Sequence, residues 1–191
     1  QQFFGIGGDF DEDTQKRVLD TYSHILGASD HVARIDRLLW QEKVASAENI
    51  LPLVSHNQQK LFAARIALIR DKKNAVALVE QVPTSLKRDP GLQFERLRFR
   101  AKKGDDTGVR EILLHMDANP PYPEKWWKYR ELQIRKSVDE GNYKQAVKLL
   151  AGNGLKEGSD YVDAAWLHGW LLLEFQNNPK AAYDIFYRMY D

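Results

Sequence analysis

The feature that most constrains the fold is a ten-residue pattern that recurs five times along the chain. In every copy the sixth residue is small or β-branched, and the ninth and tenth are large and apolar. The copies are EKVASAENIL from Glu42, RDKKNAVALV from Arg70, GDDTGVREIL from Gly104, GNYKQAVKLL from Gly141 and NNPKAAYDIF from Asn177. Their starts lie about 28 to 37 residues apart, which is typical of arrays of helical hairpins.

The pattern has a simple physical reading. A small residue on the second helix of a hairpin allows close approach to the first helix, and the apolar pair one turn later fills the space between them. The small residues are Ala47, Ala75, Val109, Ala146 and Ala182. Because a hairpin cannot bury both of its faces alone, neighbouring hairpins stack on it. The sequence therefore predicts an all-α fold, an α-α superhelix (solenoid) of about five TPR-like hairpins.

Apolar residues recur at helical spacing through most of the chain, and no strand-like alternation is found between turns. The predicted helices lie near 12–26, 30–41, 44–54, 57–70, 74–81, 90–103, 106–116, 123–140, 143–151, 160–176 and 179–190. Asp89 and Asn178 each precede a proline and are typical N-terminal caps. Gly27, Gly104, Gly141 and Gly152 each follow a periodic segment and predict helix ends.

Composition excludes several classes of function. Lys and Arg total 28 against 27 for Asp and Glu, so the chain has no basic excess for nucleic acid. It has no cysteine, so disulfides and thiolate metal sites are excluded. Apolar segments are too short to span a bilayer, and no signal peptide is found at the start. Because residue 1 is Gln, we expect the chain to be a mature or excised part of a longer protein.

Motifs for catalysis, cofactors or metals are weak. GIGG at residues 5–8 lacks the Lys-Ser/Thr of a phosphate loop, and a flexible N-terminal arm is the preferred interpretation. The alternating Asp9, Asp11 and Asp13 fail the calcium-loop pattern at Thr14 and Asp20. The five histidines have no zinc-ligand spacing, and no GxSxG motif occurs. We therefore expect no catalytic, cofactor-binding or metal-binding residue.

Trp126-Trp127 is the best candidate for ligand contact. The pair follows the proline-rich segment NPPYPEK and opens a long predicted helix. Adjacent helical residues point about 100° apart, so we expect one ring to anchor the linker and the other to face outward. Two roles are open: packing, which is preferred, and stacking on a sugar or a peptide.

The aromatic segment at residues 166–190 is interpreted mainly as packing between two helices. Trp166, Trp170 and Leu173 share one helical face, and Ala165 with Gly169 forms an adjacent face that another helix can approach. This predicts buried aromatics in place of an open pocket lined by rings.

Several segments together resemble the α-superhelical region of the soluble lytic transglycosylases, which cleave bacterial peptidoglycan. They are RIDRLLWQEKVASAENILPLV at 34–54, DPGLQFERLRFRAKKG at 89–104, WWKYRELQIRKSVDEGNYKQAVKLL at 126–150 and DYVDAAWLHGWLLLEFQNNPKAAYDIFYRMY at 160–190. The last is the most specific, because a generic repeat has no need of Trp166, Gly169 and Trp170 before Asn178-Pro179. The resemblance covers about residues 30–191 and implies a periplasmic enzyme whose separate lysozyme-like domain holds one catalytic Glu.

The catalytic signature of that family, a Glu-Ser pair followed by a GLMQ-like segment, does not occur in this sequence. The prediction is thus an N-terminal arm and first helix at 1–29 and a non-catalytic superhelical domain at 30–191. The expected partners are the glycan strand and the catalytic domain. Exposed aromatic residues and a basic helix face would guide the glycan strand, and the basic residues are Arg96, Arg98, Arg100, Lys102 and Lys103. Self-association through uncapped ends of the array is also expected. The alternative is a stand-alone helical-repeat adaptor for a peptide or protein.

Overall fold

The computed structural model describes residues 27–190 and shows an all-α fold in which helices adjacent in sequence pack together. Its α-helices are α1 Ala28–Trp40, α2 Val44–Glu48, α3 His56–Ile69, α4 Ala75–Glu80, α5 Pro90–Lys102, α6 Asp106–His115, α7 Pro123–Asp139, α8 Tyr143–Leu150, α9 Gly158–Gln176 and α10 Pro179–Tyr190. Short 3₁₀ helices cover Leu51–Leu53 and Thr84–Leu86. The predicted helix at 12–26, the GIGG segment and the three N-terminal aspartates lie outside the described residues.

The predicted all-α hairpin fold is confirmed for the part of the chain that the structure describes. The chain divides into two compact units, Gln1–Phe99 and Arg100–Asp191, and the division falls within α5. In the first unit α1 packs on α2 and α3, and α3 packs on α4. In the second, α7 packs on α8 and α9 on α10, while α6 packs on α7 and α8, and α8 on α9. Successive hairpins therefore stack within each unit.

The small residue of the repeated pattern is buried in all five copies. Ala47, Ala75 and Ala146 have no exposed surface, and Val109 and Ala182 are almost as completely covered. Each lies on the second helix of its hairpin, where a larger side chain would separate the two helices. Burial of this position confirms the packing that the pattern predicts.

The five helix joints share one backbone feature, a residue with positive φ, and only two of these residues are glycines. A residue with positive φ lies at each joint, and these residues are Glu42, Asp71, Gly104, Gly141 and Asn177. A left-handed residue directly after a helix lets the following amides bond the last carbonyls of that helix. At the fourth joint, for example, Asn142 N donates to Ser137 O at 2.7 Å and Gly141 N donates to Val138 O at 2.9 Å.

The helix starts follow their capping residues. Asp89 Oδ1 accepts a hydrogen bond from Leu92 N at 2.8 Å, and Asn178 Oδ1 accepts one from Ala181 N at 3.2 Å. The helix predicted at 44–54 is instead two elements. α2 ends at Glu48, and the 3₁₀ turn that follows contains Pro52, which has no N–H to donate to a continuing helix.

Candidate functional site

Trp126 and Trp127 are both buried at the start of α7, with 1% and 4% of their surfaces exposed. Trp126 Nε1 donates to Pro121 O at 3.0 Å and so fixes the proline-rich linker to the helix, as expected for one ring of the pair. The expectation that the other ring faces outward is wrong, because Trp127 packs in the space between α7 and α9. A binding role for the pair stays a prediction. Of the two rings, only Trp127 lines the cavity described next, and it does so with little exposed surface.

A groove of about 510 Å³ lies between α7 and α9 in the second unit, and we refer to it as the α7–α9 groove. It is bounded by the first helices of two successive hairpins. Its lining residues are Trp127, Glu131, Ile134, Arg135, Val138, Asp139, Asp163, Trp166, Leu167 and Trp170. The groove therefore combines an aromatic and aliphatic surface with four charged side chains, which is the usual composition of a ligand site.

The aromatic side of the groove is formed by two indole rings one helical turn apart. Trp166 and Trp170 are nearly parallel, with ring centroids 6.2 Å apart and an interplanar angle of 5°. Trp166 is 54% exposed, so the prediction that it packs between helices is wrong, and Leu173 on the same face is exposed as well. The prediction of no open ring-lined pocket fails for the same reason, since Trp166 and Trp170 line the groove between α9 and α7.

A second pair of aromatic residues supports Trp170 from one side. Phe175 meets Trp170 edge to face with centroids 5.2 Å apart, and its other side stacks on Tyr143 of α8 at 3.8 Å. These contacts link α9 to α8 and hold the ring of Trp170 in place. Trp170 is thus packed within the fold on one side.

The charged side chains of the groove are unevenly paired. Glu131 Oε1 accepts hydrogen bonds from Arg135 at 2.6 and 3.1 Å, so this pair is internally neutral. The side chains of Asp139 and Asp163 form no hydrogen bond or ion pair with another described residue. Three carboxylates and one guanidinium line the groove, and its field is therefore negative.

The side chain of Arg65 in the first unit is fully buried and contacts two carboxylates and an aromatic ring. Its Nη1 lies 2.5 Å from Asp36 Oδ1 and 3.8 Å from Asp89 Oδ1, and its guanidinium lies 5.8 Å from the Trp40 ring centroid. Burial raises the pKa of Asp89, and the nearby Arg65 guanidinium partly offsets that rise. The cluster joins α1, α3 and the start of α5.

Arg130 performs a similar task in the second unit. It donates from Nη1 to Leu149 O and from Nη2 to Leu113 O at 3.3 Å, so one guanidinium binds carbonyls at the ends of α8 and α6. Helix C-termini carry unpaired carbonyls and partial negative charge, which a cation stabilises. Burial lowers the pKa of Arg130 to about 10.

On the predicted basic face of α5, Arg98 and Arg100 are paired with acidic neighbours. In the first unit Arg98 Nη1 lies 2.9 Å from Glu42 Oε1 and 3.3 Å from Glu95 Oε2. In the second unit Arg100 Nη1 lies 3.0 Å from Glu111 Oε2. These ion pairs leave the α7–α9 groove as the stronger candidate for ligand contact.

No group of three or more metal-ligating side chains occurs within residues 27–190. Over the same range, no helix has both the length and the apolar character needed to cross a membrane. The groove is the candidate binding feature that sequence reasoning missed, although the helical spacing of Trp166 and Trp170 placed both on one face. Comparison of the chain with protein-family models, with curated proteins and with solved structures found no match.

Proposed function

We propose that the chain is the non-catalytic helical-repeat portion of a periplasmic lytic transglycosylase that acts on bacterial peptidoglycan. In this proposal it supports a separate catalytic domain and contacts the polymer that the domain cleaves. Two features support it: the confirmed repeat of helical hairpins, and the resemblance carried by residues 34–54, 89–104, 126–150 and 160–190. The catalytic Glu is expected on the other domain, and no residue of this chain receives that role.

The observation that carries the binding part of the proposal is the exposure of Trp166 in the α7–α9 groove. An indole that is 54% exposed on a well-packed helix loses hydrophobic stabilisation, which a ligand can restore. Trp166 also lies in the segment with the most specific resemblance. We therefore assign the proposed polymer contact to the groove, whose lining includes Trp127, and not to the pair Trp126 and Trp127.

Co-sedimentation with purified peptidoglycan sacculi tests the binding role. The 191-residue chain should sediment with sacculi, and Trp166→Ala should reduce the bound fraction several-fold. Leu132→Ala is a matched control, because Leu132 is an exposed residue of α7 outside the groove. Absence of sedimentation by the unchanged protein would eliminate polymer contact and leave only the scaffold role.

Two further measurements test the link to a lytic enzyme. Reading the gene beyond the codon for Asp191 should reveal a Glu-Ser pair and a GLMQ-like segment; a stop codon there would contradict the proposal. A zymogram of this chain alone should show no clearing, because no lytic activity is assigned to it.

A peptide-binding adaptor is the second candidate, and the negative field of the groove favours it. An extended peptide with basic side chains would place cations between Asp139 and Asp163. Affinity purification from the source cells, with Trp166→Ala as the comparison, should then recover a protein partner that the variant does not retain, and sacculi should not bind.

A further inference from the structure

We infer that the α7–α9 groove recognises an ammonium group, and that on peptidoglycan this group is a free amine of the peptide side chains. The inference rests on the proposed function and adds to it which part of the polymer is bound. It would place the amine, in preference to a sugar ring, against the tryptophans of α9.

The first argument is the chemistry of the aromatic surface. The indoles of Trp166 and Trp170 are parallel with centroids 6.2 Å apart, and Trp166 is 54% exposed. Tryptophan is the aromatic side chain that attracts cations most strongly, through the negative potential above its ring. A cation placed against the Trp166 ring would be attracted by this negative potential, and an anion would be repelled by it.

The second argument is charge. Glu131 is already neutralised by Arg135, whereas Asp139 and Asp163 have no partner among the described residues. Asp163 precedes Trp166 by almost one helical turn, so its carboxylate and the indole belong to the same side of α9. Asp139 ends α7 and lines the groove from that helix. A cation in the groove would therefore meet one carboxylate from each wall.

The third argument is selectivity against other ligands. A net negative groove repels phosphate and other anions, and it attracts a cation more strongly than a neutral sugar, whose hydroxyls could only donate hydrogen bonds to the two carboxylates. A sugar ring could still stack on Trp166. The distinction between amine and sugar is therefore the point that an experiment has to settle.

Chemical shifts of the tryptophan indole N–H groups provide the direct test on the full chain. Lysinamide should shift the indole signals of Trp166 and Trp170 in a saturable manner, and Nα,Nε-diacetyl-lysinamide should not. Asp163→Asn should weaken lysinamide binding about five-fold, in line with loss of about 1 kcal/mol from a partly exposed charge contact. Glu174→Gln is the matched control, since Glu174 is exposed on the same helix outside the groove, and it should leave the affinity unchanged.

Sacculi whose amines have been acetylated separate the inference from the proposed function. Strong sedimentation with untreated sacculi and several-fold weaker sedimentation with acetylated sacculi supports both. Equal sedimentation with the two preparations overturns the amine inference and leaves polymer contact intact. Lysinamide shifts without sedimentation on either preparation would retain an ammonium site but overturn peptidoglycan as its source. Absence of lysinamide shifts overturns the ammonium site itself.

Discussion

Gly169 of α9 lies directly against the ring of Phe186 of α10, so closely that a Cβ atom added to the glycine would overlap ring carbons Cζ and Cε1. The two helices thus approach each other at a point where only a hydrogen atom fits. This contact confirms the prediction that Ala165 and Gly169 form a face for close helix packing. It also shows why the same segment can bury one side of α9 and leave Trp166 on the other side exposed.

We expect Gly169→Ala to destabilise the second unit. Overpacking costs about 1–3 kcal/mol, which exceeds the helix-propensity gain of about 1 kcal/mol from replacing glycine. Urea unfolding followed by circular dichroism would measure the loss. The double variant Gly169→Ala with Phe186→Leu should recover part of it, because the smaller side chain can move aside. A Gly169→Ala protein more stable than the parent would contradict the close contact.

We expect Gly141→Ala to cost about 1 kcal/mol of unfolding free energy, because an alanine at the joint has to adopt a left-handed conformation. Gly141 has φ +71°, and no atom lies within 4 Å of a Cβ built on it, so crowding makes no contribution. Gly141→Asn should cost less, since asparagine tolerates this conformation and Asn177 adopts it at the fifth joint. Equal losses for both variants in thermal unfolding would rule out backbone conformation as the cause.

The joints show how far the sequence could predict the fold. Glycines and prolines predicted most helix boundaries because they restrict the backbone locally, wherever they occur in a protein. Glu42 and Asp71 also adopt positive φ, which the residue type does not indicate for Glu42 and indicates only weakly for Asp71. Hydrogen bonds at the ends of α1 and α3, from Lys43 N to Leu38 O and from Lys72 N to Ala67 O at 2.9 Å, accompany that conformation, and the repeated pattern around them was the available signal.

The groove was beyond sequence reasoning for a different reason. Helical periodicity placed Trp166 and Trp170 on one face of α9, but periodicity does not show whether a neighbouring helix covers that face. Trp127 was misjudged in the same way, since its angular separation from Trp126 does not prevent burial when helices pack on two sides. Coverage depends on the positions of α7 and α8, which only the three-dimensional arrangement supplies.

The stability of the α6–α7 contact should depend on pH through Asp106. Hydrogen bonds from Lys136 Nζ at 2.6 Å and Gln133 Nε2 at 2.7 Å lower the pKa of Asp106. Because the folded pKa lies below the unfolded value of about 3.9, the stabilisation is complete above that value and is lost as pH falls through the folded pKa. Solvent screening keeps it below about 1 kcal/mol.

Asp106→Asn should therefore lower the unfolding free energy at pH 7 and have little effect near pH 2. Urea unfolding at both pH values measures the difference. An equal loss at both pH values would assign the effect to helix capping or packing instead of to charge.

Arg130→Met should destabilise the second unit by about 1–3 kcal/mol, because Leu149 O and Leu113 O lose their donor while remaining buried near helix ends. Arg130→Lys should recover only part of the loss, since one ammonium on a flexible chain does not reproduce the two-pronged guanidinium. Thermal unfolding of both variants gives the comparison. If methionine were as stable as arginine, hydrophobic packing at this position would outweigh the two hydrogen bonds.

We expect copies of the chain to associate through the exposed face of α10 as the protein concentration rises. Tyr183 and Tyr187 are 65% and 57% exposed and stack on each other with centroids 6.1 Å apart, whereas Ala182 on the same helix is buried. Adjacent exposed aromatic rings form an apolar surface patch of the kind that a second copy of the chain can bury. Sedimentation velocity should show the average mass rising between low and high micromolar protein. Replacing both tyrosines with lysine should abolish the rise, whereas Leu132→Lys, a similar exchange on α7, should not. A protein that stays monomeric throughout this range would show that the tyrosine pair is a solvated surface and not a contact between copies.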